Sequence, residues 1–337
     1  PATLTERTDV PLTVTRFTRG DVPASQTDEA KSGDLAIYDT FQRVEDNAGV
    51  VVLADTARYA FNRVTSELSN CCGANVDGEN VSYTPRNVLK NVLRLYDEKG
   101  WKPVVAPEIE FYLVAMNDDP DYPLHPPKGR SGRSIIGGQG YSIAAINEFD
   151  ELIDDIYHFS EKQGLEIDTL IHEEGPAQLE INLRHGNPIE LADQVFMFKR
   201  TIREAALKHG IYATFMAKPM QGQPGSAMHI HQSVVGIDNG QNIFSRADGE
   251  ASDLFFHFIG GLQTYLPAAT AFFAPYVNSY RRLSRYTSAP INLSWGYDNR
   301  TCGLRVPHSG PQARRVENRL AGVDVNPYLA LAASLAC

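Results

Sequence analysis

Cysteine is scarce in this chain: four in 337 residues, at positions 71, 72, 302 and 337. Cys71 and Cys72 are adjacent and do not bridge easily, and no pair has the spacing of a zinc site. Such usage argues against a disulfide scaffold and predicts a reducing, cytoplasmic setting. Long apolar runs are missing as well. No stretch of about 18 uncharged apolar residues occurs, and the N-terminus has no basic segment leading into an apolar one. Neither membrane spanning nor export is expected. Positive charge is in deficit, with 31 Lys and Arg against 41 Asp and Glu and a formal net charge of −10. Nucleic-acid binding relies on basic side chains that neutralise phosphates, so an acidic chain is a poor candidate for it. There is no internal repeat and no low-complexity tract.

What is present suffices for a sizeable core: 337 residues, 42% of them hydrophobic, fit one large domain plus a small one. The most informative residues are Glu108 and Glu110, in the apolar run Pro107-Glu-Ile-Glu-Phe-Tyr-Leu113. Side chains alternate faces along a strand, so both carboxylates leave one face. Two like charges so close are costly unless a cation sits between them. The competing reading is the solvent-facing side of an edge strand.

Three further segments repeat the arrangement. Ile171-His-Glu-Glu-Gly-Pro-Ala-Gln-Leu-Glu-Ile-Asn-Leu183 sets Glu173 and Glu180 around a Gly175-Pro176 turn. Gly225-Ser-Ala-Met-His-Ile-His-Gln-Ser233 puts His229 and His231 on one face, and Arg314-Arg-Val-Glu-Asn-Arg319 does the same for Arg315, Glu317 and Arg319. Hard oxygen donors with few imidazoles suit Mg2+ or Mn2+ rather than zinc.

Between Asn278 and Arg319 stand eight arginines, opposed only by Asp298 and Glu317, and no lysine. Arginine is the side chain for forked recognition of phosphate and carboxylate. A polyanionic small molecule held beside metal ions, such as a nucleoside triphosphate, fits this stretch.

From residue 81 the organisation is readable. Thr84-Pro85 opens a helix ending at Gly100, and the Glu108/Glu110 strand follows. Residues 117–140 form a polar loop, a candidate flexible segment over the site. A second helix is expected over Ile146–Gln163, then a strand over Leu165–Ile171. Asn187, Pro188 and Glu190 open a third helix to His209, followed by a strand over Ile211–Met216. Asn326-Pro327 opens another helix. The dense aromatic stretch Phe255, Phe256, Phe258, Phe272, Phe273 and Tyr276 reads as core rather than interface. Helices alternating with strands of charged inward face predict an α+β fold with a mostly antiparallel, curved sheet. Residues 1–80 offer only two short strands, Asp34–Tyr38 and Gly49–Leu53.

These segments carry a family resemblance. Glu108-Ile-Glu-Phe-Tyr-Leu113, Glu173-x-Gly-Pro-x-Gln-x-Glu-Ile-Asn182, Phe215-Met-Ala-Lys-Pro219 and Gly225-Ser-x-Met-His-Ile-His231 are followed by three more. They are Asn278-Ser-Tyr-Arg-Arg-Leu283, Trp295-Gly-x-x-Asn-Arg-Thr301 and Asp324-Val-Asn-Pro-Tyr-Leu329, all in the order of the glutamine synthetase superfamily. The chain most resembles its γ-glutamyl-amine branch, the γ-glutamylputrescine synthetase type, over about residues 81–337. The resemblance implies a catalytic domain over 81–337 and a small β-grasp-like domain over 1–80. It also implies that the chain stops short of the family's C-terminal helices.

The implied reaction is ATP-dependent joining of glutamate's γ-carboxylate to an amine through γ-glutamyl phosphate. Glu110, Glu173 and Glu180 would hold one Mg2+ or Mn2+ ion, and Glu108, His229 and Glu317 another. His231 and Ser233 fall where the family contacts ATP. Arg300, Arg305 and Arg315 fall where it holds phosphates and developing charge. Arg282 and Arg319 would grip the glutamate carboxylates, with the Gly225 backbone against the same substrate. A homo-oligomer with sites between subunits is implied, as hexamer rings or a dodecamer, with no nucleic-acid or membrane partner. In true glutamine synthetases a glutamate that binds ammonium stands where this chain has Ser288, and Pro224 replaces an Asn. Losing that carboxylate favours a substituted amine over ammonium. Ammonium use, and a catalytically silent relative kept for assembly, remain the alternatives.

Overall fold

The strand bearing Glu108 and Glu110, β1 (Trp101–Ala115), runs through the middle of the sheet and not along its edge. The computed structural model describes residues 81–119, 121–285 and 288–337. The strands expected at Asp34–Tyr38 and Gly49–Leu53, and the small domain expected over 1–80, lie outside the described residues, as do Cys71 and Cys72. Around β1 stand β2 (Ile167–His172), β3 (Gln178–Leu183), β4 (Ile211–Thr214) and β5 (Met228–Gly236), with β6 (Trp295–Tyr297), β7 (Leu304–Val306) and β8 (Val316–Asn318) beyond. The order is β2-β3-β1-β5-β8-β7-β6, and β4 pairs with β1 beyond the end of β5. Every ladder is antiparallel except β6 with β7. The result is an open sheet with helices, as the alternation of elements predicts.

Two prolines in a central strand call for an explanation, because proline donates nothing to a ladder. Pairing with β3 runs only from Glu108 to Tyr112. Val105 N–H and carbonyl exchange hydrogen bonds with Gly186 on the β3 side, so Pro103 and Pro107, two residues either way, turn their nitrogens to that side. Neither nitrogen is needed by β5.

The helices follow their caps. α1 (Pro85–Asp97) starts after Thr84, and Gly100, three residues beyond it, turns the chain with φ +71°. The helix expected over Ile146–Gln163 is two pieces, α2 (Ile143–Asn147) and α3 (Asp150–Lys162). The break falls where Phe149 turns into the core while the Glu148 carboxylate accepts from Ser131 N (3.0 Å). α4 (Pro188–Lys208) begins where the Asn187 side chain accepts from Ile189 N (2.8 Å). α5 (Asp253–Tyr265), α6 (Thr270–Phe273) and α7 (Val277–Arg282) precede the arginine-rich segment, and α8 (Pro327–Ala336) is capped by Asn326. No helix among the described residues is long and apolar enough to cross a membrane.

One sheet face is the core. Ile109, Phe111 and Leu113 of β1, Leu179 and Ile181 of β3, and Met228 and Ile230 of β5 are buried with Leu89 of α1, Phe198 and Ile202 of α4 and Leu331 of α8. Each such burial contributes about 1.5–3 kcal/mol, which fixes which way the alternating residues must point. The aromatic stretch divides where the sequence predicts core throughout. Phe255 and Phe273 are buried, but Phe256, Phe272 and Tyr276 are exposed, because a helix turns only one side to the core.

Candidate active site

With Ile109 and Phe111 committed to the core, the even-numbered residues of β1 face the other way. Register then extends that polar face across five strands. Glu110 stands opposite Glu180 of β3, and Glu108 opposite both Asn182 of β3 and His229 of β5. His231 stands opposite Glu317 of β8, and Glu317 opposite Arg305 of β7. Period two in four separate segments becomes one row of carboxylates and imidazoles ending in arginine.

The contacts are close. Glu108 lies 3.0 Å from His229 Nδ1 through one oxygen and 2.7 Å from His231 Nε2 through the other. Arg315 Nε donates to His231 Nδ1 (3.0 Å), which leaves the ring proton on Nε2 to donate to Glu108. Glu317 accepts from Arg305 (2.8 Å) and from Arg319. Arg305 is held from its other side by Asp298 at 3.0 Å. Arg282 is buried and donates to the carbonyls of Leu320 (2.8 Å) and Arg319 (3.0 Å).

Burial and charge split the carboxylates into two sets. Burial pushes Glu108 up, but the hydrogen bonds of His229 and His231 outweigh it and hold its pKa below the usual range. Burial is likewise outweighed at Glu317 by His229, His231 and Arg319. Glu110 is pushed up to about 8 by burial and then by Glu173, and Glu180 to about 9 by burial and then by Glu108, Glu110 and Glu173. Glu173 is also raised by burial, against the opposing charge of Arg300. Burial, then Arg319, lowers His229, which favours the neutral imidazole that binds metal. Glu110 and Glu180, held protonated at neutral pH, with Glu173 also raised, form a donor set suited to a hard divalent cation.

Candidate ligand atoms converge in two groups, Glu108 with His231 and Glu317, and Glu108 with Glu180 and His229, each within 4.8 Å. Glu108 belongs to both. Glu110, Glu173, Glu180, His229, Gly225, Arg282, Arg300 and Arg319 line one cavity of about 420 Å³. Glu108, His231, Glu317, Arg305, Arg315 and Ser233 are not among its lining residues and continue the row along the sheet. Ser288 also lines the cavity, in the segment just past the two undescribed residues 286 and 287.

Two glycines are required by close approach. A Cβ on Gly175 would stand 1.9 Å from the Tyr112 hydroxyl, which donates to the Pro224 carbonyl. A Cβ on Gly225 would stand 2.7 Å from both the Ala217 carbonyl and Arg282 Cγ.

The sequence reading passed over Gln178, Asn182 and Asp298. Gln178, fully buried, donates to the Gly225 carbonyl (3.1 Å) and approaches Glu110 Oε2 (3.4 Å). Asn182 donates to Glu180 Oε1 (3.1 Å). Both lie two residues from Glu180, so the period-two rule already placed them on its face. Asp298 carried no such signal, since its loop folds back on Arg305 only in three dimensions. The polar loop after β1 reaches the site through its far end: Gly138 N donates to the Glu174 carbonyl (2.8 Å) and Tyr141 N to that of His172 (2.7 Å).

Residues 82–337 match the family described as glutamine synthetase, catalytic domain, and the chain belongs to that family. It is 40% identical to gamma-glutamylputrescine synthetase of Escherichia coli over 77% of this chain and 55% of that protein. It is 33% identical to the glutamate–isopropylamine ligase of a Pseudomonas species over 79% of this chain and 58% of that one. A glutamine synthetase of Pyrococcus abyssi is 35% identical over 94% of this chain, so similarity extends into the residues before 81. The chain spans a little over half the length of the first two.

Proposed function

We propose that this protein joins the γ-carboxylate of glutamate to an amine, driven by ATP. The observation that carries the reading is the meeting of Glu110, Glu173 and Glu180 with Arg282, Arg319 and the Gly225 backbone around one cavity, at the end of a carboxylate–imidazole–arginine row. A γ-carboxylate is a poor electrophile. Its oxygen attacks the γ-phosphorus of ATP, ADP leaves, and the amine nitrogen attacks the acyl carbon of γ-glutamyl phosphate. Inorganic phosphate then departs and the nitrogen loses a proton.

The residues divide this work. Arg282 and Arg319 hold the carboxylates of glutamate against Gly225. Arg300, Arg305 and Arg315 stabilise the charge of the transferring phosphoryl group, with His231 and Ser233 toward the nucleotide. Buried Arg305 Nε and Arg319 Nε have no acceptor among the described residues, which suits an anionic substrate. Mg2+ or Mn2+, when bound, would neutralise the triphosphate and polarise the phosphoryl oxygens. Glu110, Glu173 and Glu180 would hold one ion, and Glu108, His229 and Glu317 the other.

Ser288 at the cavity supports an amine over ammonium, as does the similarity to proteins named for putrescine and isopropylamine. The test is glutamate-dependent release of ADP with putrescine, isopropylamine, ethanolamine, methylamine or ammonium in Mg2+ or Mn2+. Silence with every amine overturns the reading, and activity with ammonium alone makes the protein a glutamine synthetase. We also propose a cytoplasmic homo-oligomer, with hexamer rings, stacked or single, that complete each site from a neighbouring chain. A fully active monomer in light scattering would refute it.

A further inference from the structure

Tyr112 continues the even-numbered row of β1 past Glu110, yet it is fully buried and belongs to neither ligand set. It stands directly opposite Gln178 of β3, which is buried as deeply. Both side chains act on one piece of backbone, the loop between β4 and β5. Tyr112 Oη donates to the Pro224 carbonyl (2.8 Å) and Gln178 Nε2 to the next one, that of Gly225 (3.1 Å). Lys218 Nζ donates to the one before, that of Gln223. Three successive carbonyls are thus each held by a side chain. The loop is otherwise open to water: Gln221 and Gly222 are exposed, and Gly222 turns the chain with φ +78°.

The hold is rigid. Gly175 N donates to Gln178 Oε1 (3.1 Å), and the chain at Gly175 comes so close that a Cβ there would meet both Tyr112 Oη and Gln178 Oε1. A phenol ring packed on all sides on a central strand keeps its hydroxyl in one place. Pro224 has no N–H and a locked φ, so its oxygen is the handle by which the next peptide is set. That oxygen and the Gly225 N–H belong to one planar trans peptide and point to opposite sides of it. Tyr112 draws the oxygen into the protein body and so turns the N–H away from it. Among the described residues no acceptor takes that N–H, while Gly225 lines the cavity with Arg282 and Arg319. A backbone donor beside two guanidinium groups suits a carboxylate.

We propose that Tyr112 is a positioning residue: by holding the Pro224 carbonyl it presents the Gly225 N–H to a carboxylate of glutamate. The proposal rests on the ligase reading above and concerns the same cavity. A contact made equally in the ground state and the transition state appears in KM and leaves kcat alone. The expected size is about threefold to tenfold, the range for one hydrogen bond.

Two measurements test it. Tyr112→Phe removes one oxygen and leaves the ring in its packing. In that variant the KM for glutamate should rise about threefold to tenfold, with kcat and the KM for ATP within twofold of wild type. A hydroxyl that served stability alone would give the opposite split, a lower kcat from less folded protein with an unchanged KM for glutamate, and that result overturns the proposal. The second measurement is calorimetric binding of glutamate to protein holding Mn2+ and ADP, which needs no turnover. If no amine is turned over but glutamate binds at least threefold more weakly to Tyr112→Phe, the ligase reading fails and the assignment of Tyr112 stands. Equal affinity in the two proteins, or binding in neither, sinks the assignment whatever the activity.

Discussion

Raising the pH from 7 to 8.5 without divalent ions should destabilise this protein, the reverse of what most carboxylates do. Glu110 is held up to about 8 and Glu180 up to about 9, against about 4.5 in the unfolded chain. Between those values the native state keeps protons that the unfolded state has released, so stability declines as pH rises. Integrated from pH 7 to 8.5, Glu110 contributes about 1 kcal/mol of loss and Glu180 about 2, together about 3 kcal/mol. For a chain of this size that is a fall of several degrees in Tm. His229 works with the opposite sign, but its pKa is lowered from 6.5, so most of its contribution is in place by pH 7 and little is added above it. Glu108 and Glu317 are held low, and their contribution is lost only as pH falls below about 4.5. Mn2+ must displace the protons from Glu110 and Glu180, so its stabilisation should grow with pH and cancel the decline at saturation. Thermal unfolding of chelator-treated protein, with and without Mn2+, reads both effects. An ion-free Tm that is constant or rises from pH 7 to 8.5 would refute the reasoning. So would Mn2+ protection of equal size at both ends. The double variant Glu110→Gln, Glu180→Gln should flatten the slope and raise the ion-free Tm at pH 8.5.

Glu317→Ala leaves buried Arg319 without its carboxylate and half-buried Arg305 with Asp298 alone, and should cost about 3–5 kcal/mol in urea unfolding, with turnover lost. Glu317→Gln should be nearly as inactive, since charge rather than volume is needed; turnover within threefold of wild type would contradict this. Gly225→Ala forces a Cβ against Arg282 and the Ala217 carbonyl, so the KM for glutamate should rise at least tenfold with a stability loss of about 1–3 kcal/mol. Ser288→Glu restores a carboxylate at the cavity and should move the ratio of ammonium to amine activity toward ammonium. An unchanged ratio in that variant would mean that Ser288 takes no part in choosing the nucleophile.

Local rules carried far along this chain. Asn187-Pro188 and Asn326-Pro327 announce helices because caps and proline act within one turn. Glu108 and Glu110, His229 and His231, and Arg315, Glu317 and Arg319 share faces because strand periodicity is a property of the backbone alone. The same rule applied to Glu180 would have found Gln178 and Asn182. The helical pattern misled over Ile146–Gln163, where burial of Phe149 divides α2 from α3.

The sequence by itself determined which donors exist, which share a strand face, and that hard cations and anions suit them, since these follow from side-chain chemistry and a two-residue period. Strand order and register were decided only by the tertiary structure. Nothing local tells β1 that it will lie between β3 and β5, or that Glu110 will meet Glu180 and Glu108 will meet His229. Those pairings come from burying Ile109, Phe111, Leu179, Ile181 and Ile230 together on the far face, because a slip of one residue would turn every one of them to the polar side. The raised Glu110 and Glu180, the cavity and the contact of Tyr112 with Pro224 exist only once that packing has brought separate segments together.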